Sequence, residues 1–399
     1  MKKMSLNQQI ELIEQANTNN IAFSQLLKQN GFSYDSLQYL SNPVIDKSCM
    51  NPIQTLDDIE KANDNIPAIS FFSGAGGLDI GFSYAGFNNI ISIEFNEIFC
   101  NTLRKNNPDK LVIGPPYYSG DISKRTEIAN ILKENGVAIP FNGVFHGGPP
   151  CQSFSIAANQ RFNKDCDNFK RTGFDDEEKG TLIFDYIWFI KTFKPLAFLI
   201  ENVEGIADFD EGGRIKKELD DLTSLGYKIT APTVVNAAYY GVPQNRMRWI
   251  VMGTRCNNAI TFPLPSDNPT PCGSVFNRKL EGVSNHITRE HTATSISRYM
   301  LLEYGGRDKL GRVDRLDPRL PSKTVIAGGT KGGGRSHLHP FFPRTLSVRE
   351  CARLQTFPDS YIFTGANARQ FTQVGNAVPP LLAYKLATSI KNAIIADYK

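Results

Sequence analysis

The sequence holds no pair of cysteines at CxxC spacing; its seven cysteines stand singly at 49, 100, 151, 166, 256, 272 and 351. That pattern excludes a finger or ribbon zinc site, so no metal is expected. With no early signal peptide, it points to a reducing, cytoplasmic setting. No run of about 18 apolar residues occurs, so no helical membrane span is expected. Charge of one sign is scarce too: 44 basic against 40 acidic residues leave a net +4, too little by itself to announce a polyanionic partner. Histidine is rarer still, five in all, yet four of them (His286, His291, His337, His339) fall between Cys256 and Thr345. That stretch carries 13 Lys and Arg against seven Asp and Glu, while the rest of the chain has two more acids than bases. A polyanion would meet this segment first, although a solvated basic face has the same composition.

What is present reads as two or so domains. The first 65 residues are rich in Asn and Gln. Leu6, Ile10 and Ile13 make one apolar helix face, residues 21–30 closed by Gly31 read as a second helix, and a third short helix is expected from Asp35 to Leu40. The layout fits a helix-turn-helix or a plain helical appendage. From Ile66 onward, apolar runs at 66–72, 90–95, 142–145, 196–200 and 249–252 alternate with helix-like segments at 96–106 and 181–192. This is the signature of an α/β domain with a mostly parallel sheet and helices on both faces. After Gly253 a Pro-, Gly- and Ser-rich stretch runs to Thr345, and helical periodicity returns at 347–355 and 380–394. The expected division is 1–65, an N-terminal extension; 66–255, the sheet domain; 256–345, an inserted basic region; and 346–399, helices that complete the sheet domain.

Five segments carry chemistry. In HGGPPCQ, two prolines fix two φ angles and set Cys151 on a stiff turn at the end of an apolar run, as a reactive thiol or a buried filler. In FFSGAGGLDIGF, glycines at 74, 76 and 77 let backbone approach a nucleotide-derived ligand, but Asp79 stands where a dinucleotide fingerprint wants its third glycine. Glu94, about 20 residues on, can accept from a ribose diol, and Asp121, at what reads as a third strand end, from an exocyclic amine. Glu201 follows a five-residue apolar run, where partial burial favours a protonated acid able to donate. Arg246 and Arg248, two apart on an extended entry, share one face. A nucleophile, an acid and a fixed cation thus converge on one sheet edge.

The order FSGAGG, Glu94, GDI, GGPPCQSFS, ENV, QNRMR, RECARLQTFPD and GNAVPP, from about residue 68 to the C-terminus, resembles the DNA (cytosine-5)-methyltransferase family. The resemblance implies a Rossmann-like S-adenosylmethionine-dependent methyltransferase domain with a small basic target-recognition region. It implies S-adenosyl-L-methionine as methyl donor, with S-adenosyl-L-homocysteine as product, and a cytosine flipped out of double-stranded DNA as acceptor. It assigns Cys151 as nucleophile, Glu201 as acid at N3, Arg248 with Arg246 at O2, and Asn202 as a further contact to the base. Around the cofactor it places Phe72 on the adenine and Gly74 and Gly76 at the methionine, within a loop that includes Ser73, Ala75, Gly77 and Leu78. Glu94 with Phe95 falls at the ribose, Asp121 with Ile122 at the adenine edge, and Pro150, Asn376, Ala377 and Val378 close the pocket. DNA contacts are expected from Ser155, Gln160, Arg161 and Arg171 in the 152–180 loop, and from Arg307, Arg312, Arg315, Lys331 and Arg335 in the basic region. A monomer paired with a cognate restriction endonuclease, or an orphan methylase, completes the expectation. The rivals are a tRNA cytosine methyltransferase of the same fold, a DNA-binding regulator acting through its N-terminal segment, and a nicotinamide oxidoreductase, which the glycine spacing disfavours.

Overall fold

Residue-by-residue alternation explains the sheet that dominates the chain. In strand β1, Ile66–Phe71, Ile69 and Phe71 join one apolar core, while Ser70 between them donates from Oγ to Asp79 Oδ1 (2.6 Å) of a helix on the opposite face. The computed structural model describes residues 3–150, 181–327 and 337–398.

They form two compact units: 55–240, 246–267 and 377–399 make a sheet unit, and 1–54, 241–245 and 268–376 a mixed unit. In chain order the mixed unit opens with helices α1, Leu6–Thr18, and α2, Phe23–Gln29. The sheet unit follows with β1, helix α3 (Gly77–Tyr84), β2 (Phe87–Ile93), α4 (Glu97–Asn106), β3 (Leu111–Ile113), α5 (Arg125–Glu134), β4 (Val144–Gly147), α6 (Leu182–Phe193), β5 (Ala197–Val203), α7 (Arg214–Ser224), β6 (Lys228–Ile229), β7 (Thr233–Asn236) and β8 (Met247–Thr254). The mixed unit resumes with α8 (Ala293–Tyr299), β9 (Arg307–Asp308), β10 (Val313–Arg315), β11 (His337–Leu338), α9 (Val348–Leu354) and α10 (Asn367–Asn376), and α11 (Pro380–Tyr398) returns to the sheet unit.

The sheet runs β3-β2-β1-β4-β5-β8-β6, with β7 also pairing β8. Its first five strands are parallel, and β6, β7 and β8 pair antiparallel. The chain winds outward from β1 to β3, then restarts on the other side at β4, so β1 and β4 flank the switch point where open α/β sheets hold ligands. Aromatic and aliphatic residues of α5, α6 and α7 fill one face against Phe71, Phe145, Phe198 and Trp249. On the other face α3 packs on α11 so closely that a Cβ on Gly81 would fall 2.4 Å from the Ala383 methyl.

The mixed unit departs from the expected boundaries. The N-terminal residues are no separate appendage: Leu12, Ile13, Phe23, Leu26 and Leu27 share a core with Ile296, Tyr299, Met300 and Leu338. Residues 346–376 belong here as well, and only 377–398 complete the sheet unit. Ile10 is exposed, whereas Ile13 is buried and Leu6 packs against the core as expected; Gln9, Leu12 and Ala16 complete the buried face of α1. No helix spans 35–40: a single 3-10 turn, Tyr34–Ser36, gives way to extended chain. A three-stranded sheet, β11-β10-β9, is too short to leave a sequence signature. Among the described residues no helix is long and apolar enough to cross a membrane.

Candidate active site

Strand register assembles the site. Ile113 pairs with Ile93, Ile93 with Phe71, Phe71 with Gly147, and Gly147 with Ile200, so one row crosses five strands. Glu94, Phe72, Gly148 and Glu201 are each one residue past that row, lined up along the carboxyl edge at the switch point. A sequence of separate motifs becomes one continuous rim.

The glycine loop is held by Glu94. Its Oε2 accepts from Gly74 N (2.8 Å) and its Oε1 from Asn96 N (2.7 Å). Burial pushes the carboxyl pKa up against the pull of these backbone donors. Gly74 (φ 56°) and Gly76 (φ 76°) are left-handed, and a Cβ on Gly74 would meet nothing nearer than Phe72 O at 3.9 Å, so the loop leaves an open cradle. Phe72 is left-handed as well (φ 51°), a costly state for an aromatic residue, and its ring meets Tyr186 edge-on at 6.4 Å. Phe95, beside Glu94, is 67% exposed. Beneath the loop, Asp79 accepts from Ser70 Oγ and Ser92 Oγ (2.6 Å each), and Ser73 Oγ donates to Ser70 Oγ at 2.9 Å. The Asp79 carbonyl accepts from Asn89 Nδ2 (2.7 Å), leaving Asn89 Oδ1 to face His146 Nε2 at 2.7 Å. Burial lowers the His146 pKa to about 4, so the ring is neutral and Nε2 carries its proton. This network ties β1, β2, α3 and β4 together below the rim. Sequence reading missed it, although Ser70 and Ser92, polar residues inside two apolar runs, were its signal.

Across the switch point, Glu201 and Arg248 sit diagonally on β5 and β8, where Glu201 pairs with Ile250 and Val203 with Arg248. Both are buried, with Arg248 Nε 2.5 Å from Glu201 Oε1. A Cβ on Gly148 would fall 2.6 Å from Glu201 Oε2, so the second glycine of HGGPPCQ is the space the carboxylate occupies. Gly147 is equally constrained, its missing Cβ lying 3.0 Å from Phe71 O. Asn202 Nδ2 donates to Pro149 O (3.4 Å), and Asn202 Oδ1 accepts from Val203 N (2.8 Å), so this side chain braces the proline turn. Pro150 is half-buried at the end of that turn.

Residues 66–392 match the model of the C-5 cytosine-specific DNA methylase family. The chain belongs to this family. Among its relatives, the type II methyltransferase M.NgoFVII of Neisseria gonorrhoeae is 31% identical over 369 residues, covering 86% of this chain and 91% of its own. M1.HphI of Haemophilus parahaemolyticus is 33% identical over 339 residues, covering 81% and 86%. A prophage-encoded E. coli protein, described as a DNA modification methyltransferase, superposes with a TM-score of 0.62 at 26% identity, over 83% of this chain and all of its own. As a family member the chain is a DNA (cytosine-5-)-methyltransferase.

Two expected site residues of this methylase, Asp121 and Arg315, lie elsewhere than sequence suggested. Arg246 is buried, and its guanidinium donates to Ala377 O (2.9 Å), bracing the GNAVPP segment. Gly77 serves packing, since a Cβ there would fall 2.2 Å from Val378 O. Ala75, Leu78, Ile122, Ala377 and Val378 are buried, and Asn376 is exposed at the end of α10. Asp121 is not at a strand end but in the loop after β3, where its Oδ1 accepts from Ser123 N and Oγ. Arg315 is no surface contact: its side chain is fully buried, with its donors taken up internally. Arg307 is half-exposed and paired with Asp314 (2.9 Å), and Arg312 is exposed. Nor do the clustered histidines face outward, because His337 and His339 are buried. Cys151, Ser155, Gln160, Arg161, Arg171, Lys331 and Arg335 lie outside the described residues. Among the described residues no cluster of His, Cys, Asp and Glu could hold a metal ion.

Proposed function

We propose that this methylase transfers a methyl group from S-adenosyl-L-methionine to C5 of a cytosine flipped out of double-stranded DNA, with Cys151 as nucleophile. The observation that carries the reading is the buried Glu201–Arg248 pair packed against Gly148, three residues before Cys151. C5 of cytosine is a poor nucleophile until C6 is attacked, and a thiolate suits a reversible attack. As the Cys151 Sγ–C6 bond forms, the C5=C6 electrons shift onto the ring and N3 takes a proton from Glu201. Arg248 holds the base O2 and orients the Glu201 carboxyl. The activated C5 takes the methyl group that S-adenosyl-L-methionine would supply, its S–CH3 bond breaking to leave S-adenosyl-L-homocysteine; a solvent-derived base then removes the C5 proton, the C5=C6 bond reforms as the Cys151 thiolate leaves, and the N3 proton returns to Glu201. The five described cysteines support the choice by contrast, because burial raises the pKa of Cys49, Cys100, Cys256, Cys272 and Cys351, keeping them as thiols.

The open cradle at Gly74 and Gly76, with Glu94 at its wall, fits S-adenosylmethionine, which when bound supplies an electrophilic methyl. Phe72 offers a ring face for the adenine, Glu94 an acceptor for the ribose, and Asp121 with Ile122 an edge for the base. Flipping costs a few kcal/mol of stacking, and residues 152–180, with Ser155, Gln160, Arg161 and Arg171, cover the gap and hold phosphates. Arg307 and Arg312, with Lys331 and Arg335, meet the duplex. The relatives are named type II methyltransferases, which supports the modification half of a restriction-modification system; the enzyme acts as a monomer on one short site. Cys151→Ala abolishes turnover but still binds duplex DNA, and 5-fluorocytosine at the target traps a covalent complex with the unaltered protein. Full turnover by Cys151→Ala would overturn the mechanism.

A further inference from the structure

We propose that residues 34–42 are a positioning element for DNA recognition: they grip β10 and the turn after β11, and so fix the exposed basic hairpin 307–312 that meets the duplex. The inference rests on the DNA reading above. Its centre is Arg315, whose guanidinium is sandwiched between the rings of Tyr39 (3.5 Å) and Tyr304 (4.2 Å). Its Nη1 donates to Ser41 O (2.8 Å) and Leu302 O (2.7 Å), its Nη2 to Asn42 Oδ1 (2.7 Å) and its Nε to Pro340 O (3.0 Å). Tyr39 donates its own hydroxyl to His339 O at 2.7 Å. Close by, the buried Arg344 pairs with Asp35 and, through two 2.8 Å bonds, with both oxygens of Glu350.

A buried guanidinium is tolerated only while its donors are met and its charge is compensated. Here one ring face and two of four acceptors come from a segment some 270 residues earlier, as the sequence numbers show. Without that segment Arg315 keeps its charge and loses half its partners, so β10 cannot hold its place. Register carries the effect outward: Val313 pairs with Asp308 and Asp314 with Arg307, and the connecting turn presents exposed Lys309 and Arg312, the latter left-handed (φ 53°). Displacing β10 therefore displaces the basic tip.

The test measures KM for duplex DNA across several salt concentrations, KM for S-adenosylmethionine, and the thermal midpoint. The proteins are Tyr39→Ala, Tyr39→Phe, Asn42→Ala, the double variant Lys309→Ala/Arg312→Ala, and Tyr39→Ala combined with that double variant. Tyr39→Ala is expected to raise the DNA KM about tenfold, with the S-adenosylmethionine KM within about twofold. It should flatten the salt dependence as the double variant does, and in combination the two effects should overlap rather than multiply. Tyr39→Phe, which keeps the ring, and Asn42→Ala should fall between and keep the question answerable if Tyr39→Ala does not fold. A wild-type DNA KM and salt slope in Tyr39→Ala, or effects that multiply independently, would overturn the inference alone. An unchanged DNA KM in the Lys309→Ala/Arg312→Ala protein would overturn the DNA reading of the hairpin, and the inference with it.

Discussion

A methyl group added at Gly148 would lie 2.6 Å from the Glu201 Oε2 atom, too close for either to stay. Pro149 and Pro150 stiffen the segment and Asn202 braces it, so the Glu201 carboxyl is the part that yields, away from the position from which the proposed mechanism has it protonate N3. Gly148→Ala is therefore expected to lower kcat by roughly 10- to 100-fold. Cofactor and DNA affinities should change little, as single-turnover kinetics with separate binding titrations would reveal. Glu201→Gln keeps the shape but removes the proposed proton donor and leaves the buried Arg248 charge uncompensated; its turnover should fall at least as far, and its thermal midpoint should drop below that of the parent protein. Glu201 could be picked out in the sequence because it directly follows an apolar run; the need for glycine at 148 could not, since it comes from a tertiary contact with Glu201. Nor could the burial of Arg315: an arginine in a basic stretch reads the same exposed or buried, and the tyrosine that covers it is encoded far away.

At the scale of elements, the contact between α3 and α11 depends on one missing side chain. A Cβ on Gly81 would meet the Ala383 methyl, Tyr384 N and Pro380 O at 2.4–2.6 Å, two of them backbone or backbone-adjacent atoms with little room to move. Gly81→Val should destabilise the protein by about 2 kcal/mol or more, read as a lower midpoint in urea. Gly213→Ala, with nothing within 4 Å of its Cβ, serves as the control for backbone strain alone, since φ there is +63°. Strands β1, β2, β4, β5 and β8 and helices α4, α6, α9 and α11 could be placed from apolar runs and periodicity; β3 could not, since the segment that reads as a third strand end at Asp121 lies in the loop after it. Strands β6, β9, β10 and β11, two or three residues long, could not, since tertiary pairing creates them. The N-terminal segment was legible as helices but not as part of the basic unit, because its partners are encoded after residue 290.

Across the whole molecule, histidines held neutral by burial set the response to acid: His146 and His339 are buried, His291 is half-buried, and His286 is lowered in the same direction. Burial holds His146 and His291 at about 4 and His339 at about 3, below the ordinary imidazole value near 6.5. Each binds its proton more readily once the chain unfolds. The stability they contribute is complete above about pH 6.5 and is lost as pH falls toward the folded values, with a limiting slope of about 1.4 kcal/mol per pH unit for each. Glu350, held far below the carboxylate range once Arg344 outweighs its burial, adds to the loss below about pH 4.5. Glu94, whose pKa is raised, opposes it. The thermal midpoint should be level near pH 7 and drop steadily from pH 6.5 to 4; a flat profile over that range would contradict neutral burial of these rings.

The bond from Arg246 to Ala377 O and the seat of Val378 O against Gly77 also bear on how the enzyme is born. The glycine loop, the acid and the proline turn are all translated before residue 268, yet the backbone that walls the loop emerges only after the entire mixed unit has been made. A nascent chain halted anywhere between residues 268 and 376 carries the glycine loop, Glu201 and Arg248 but lacks the backbone of Ala377 and Val378 that packs on Arg246 and Gly77. Methylation is therefore expected only of a chain made past Val378, so a partial chain is not expected to modify DNA indiscriminately.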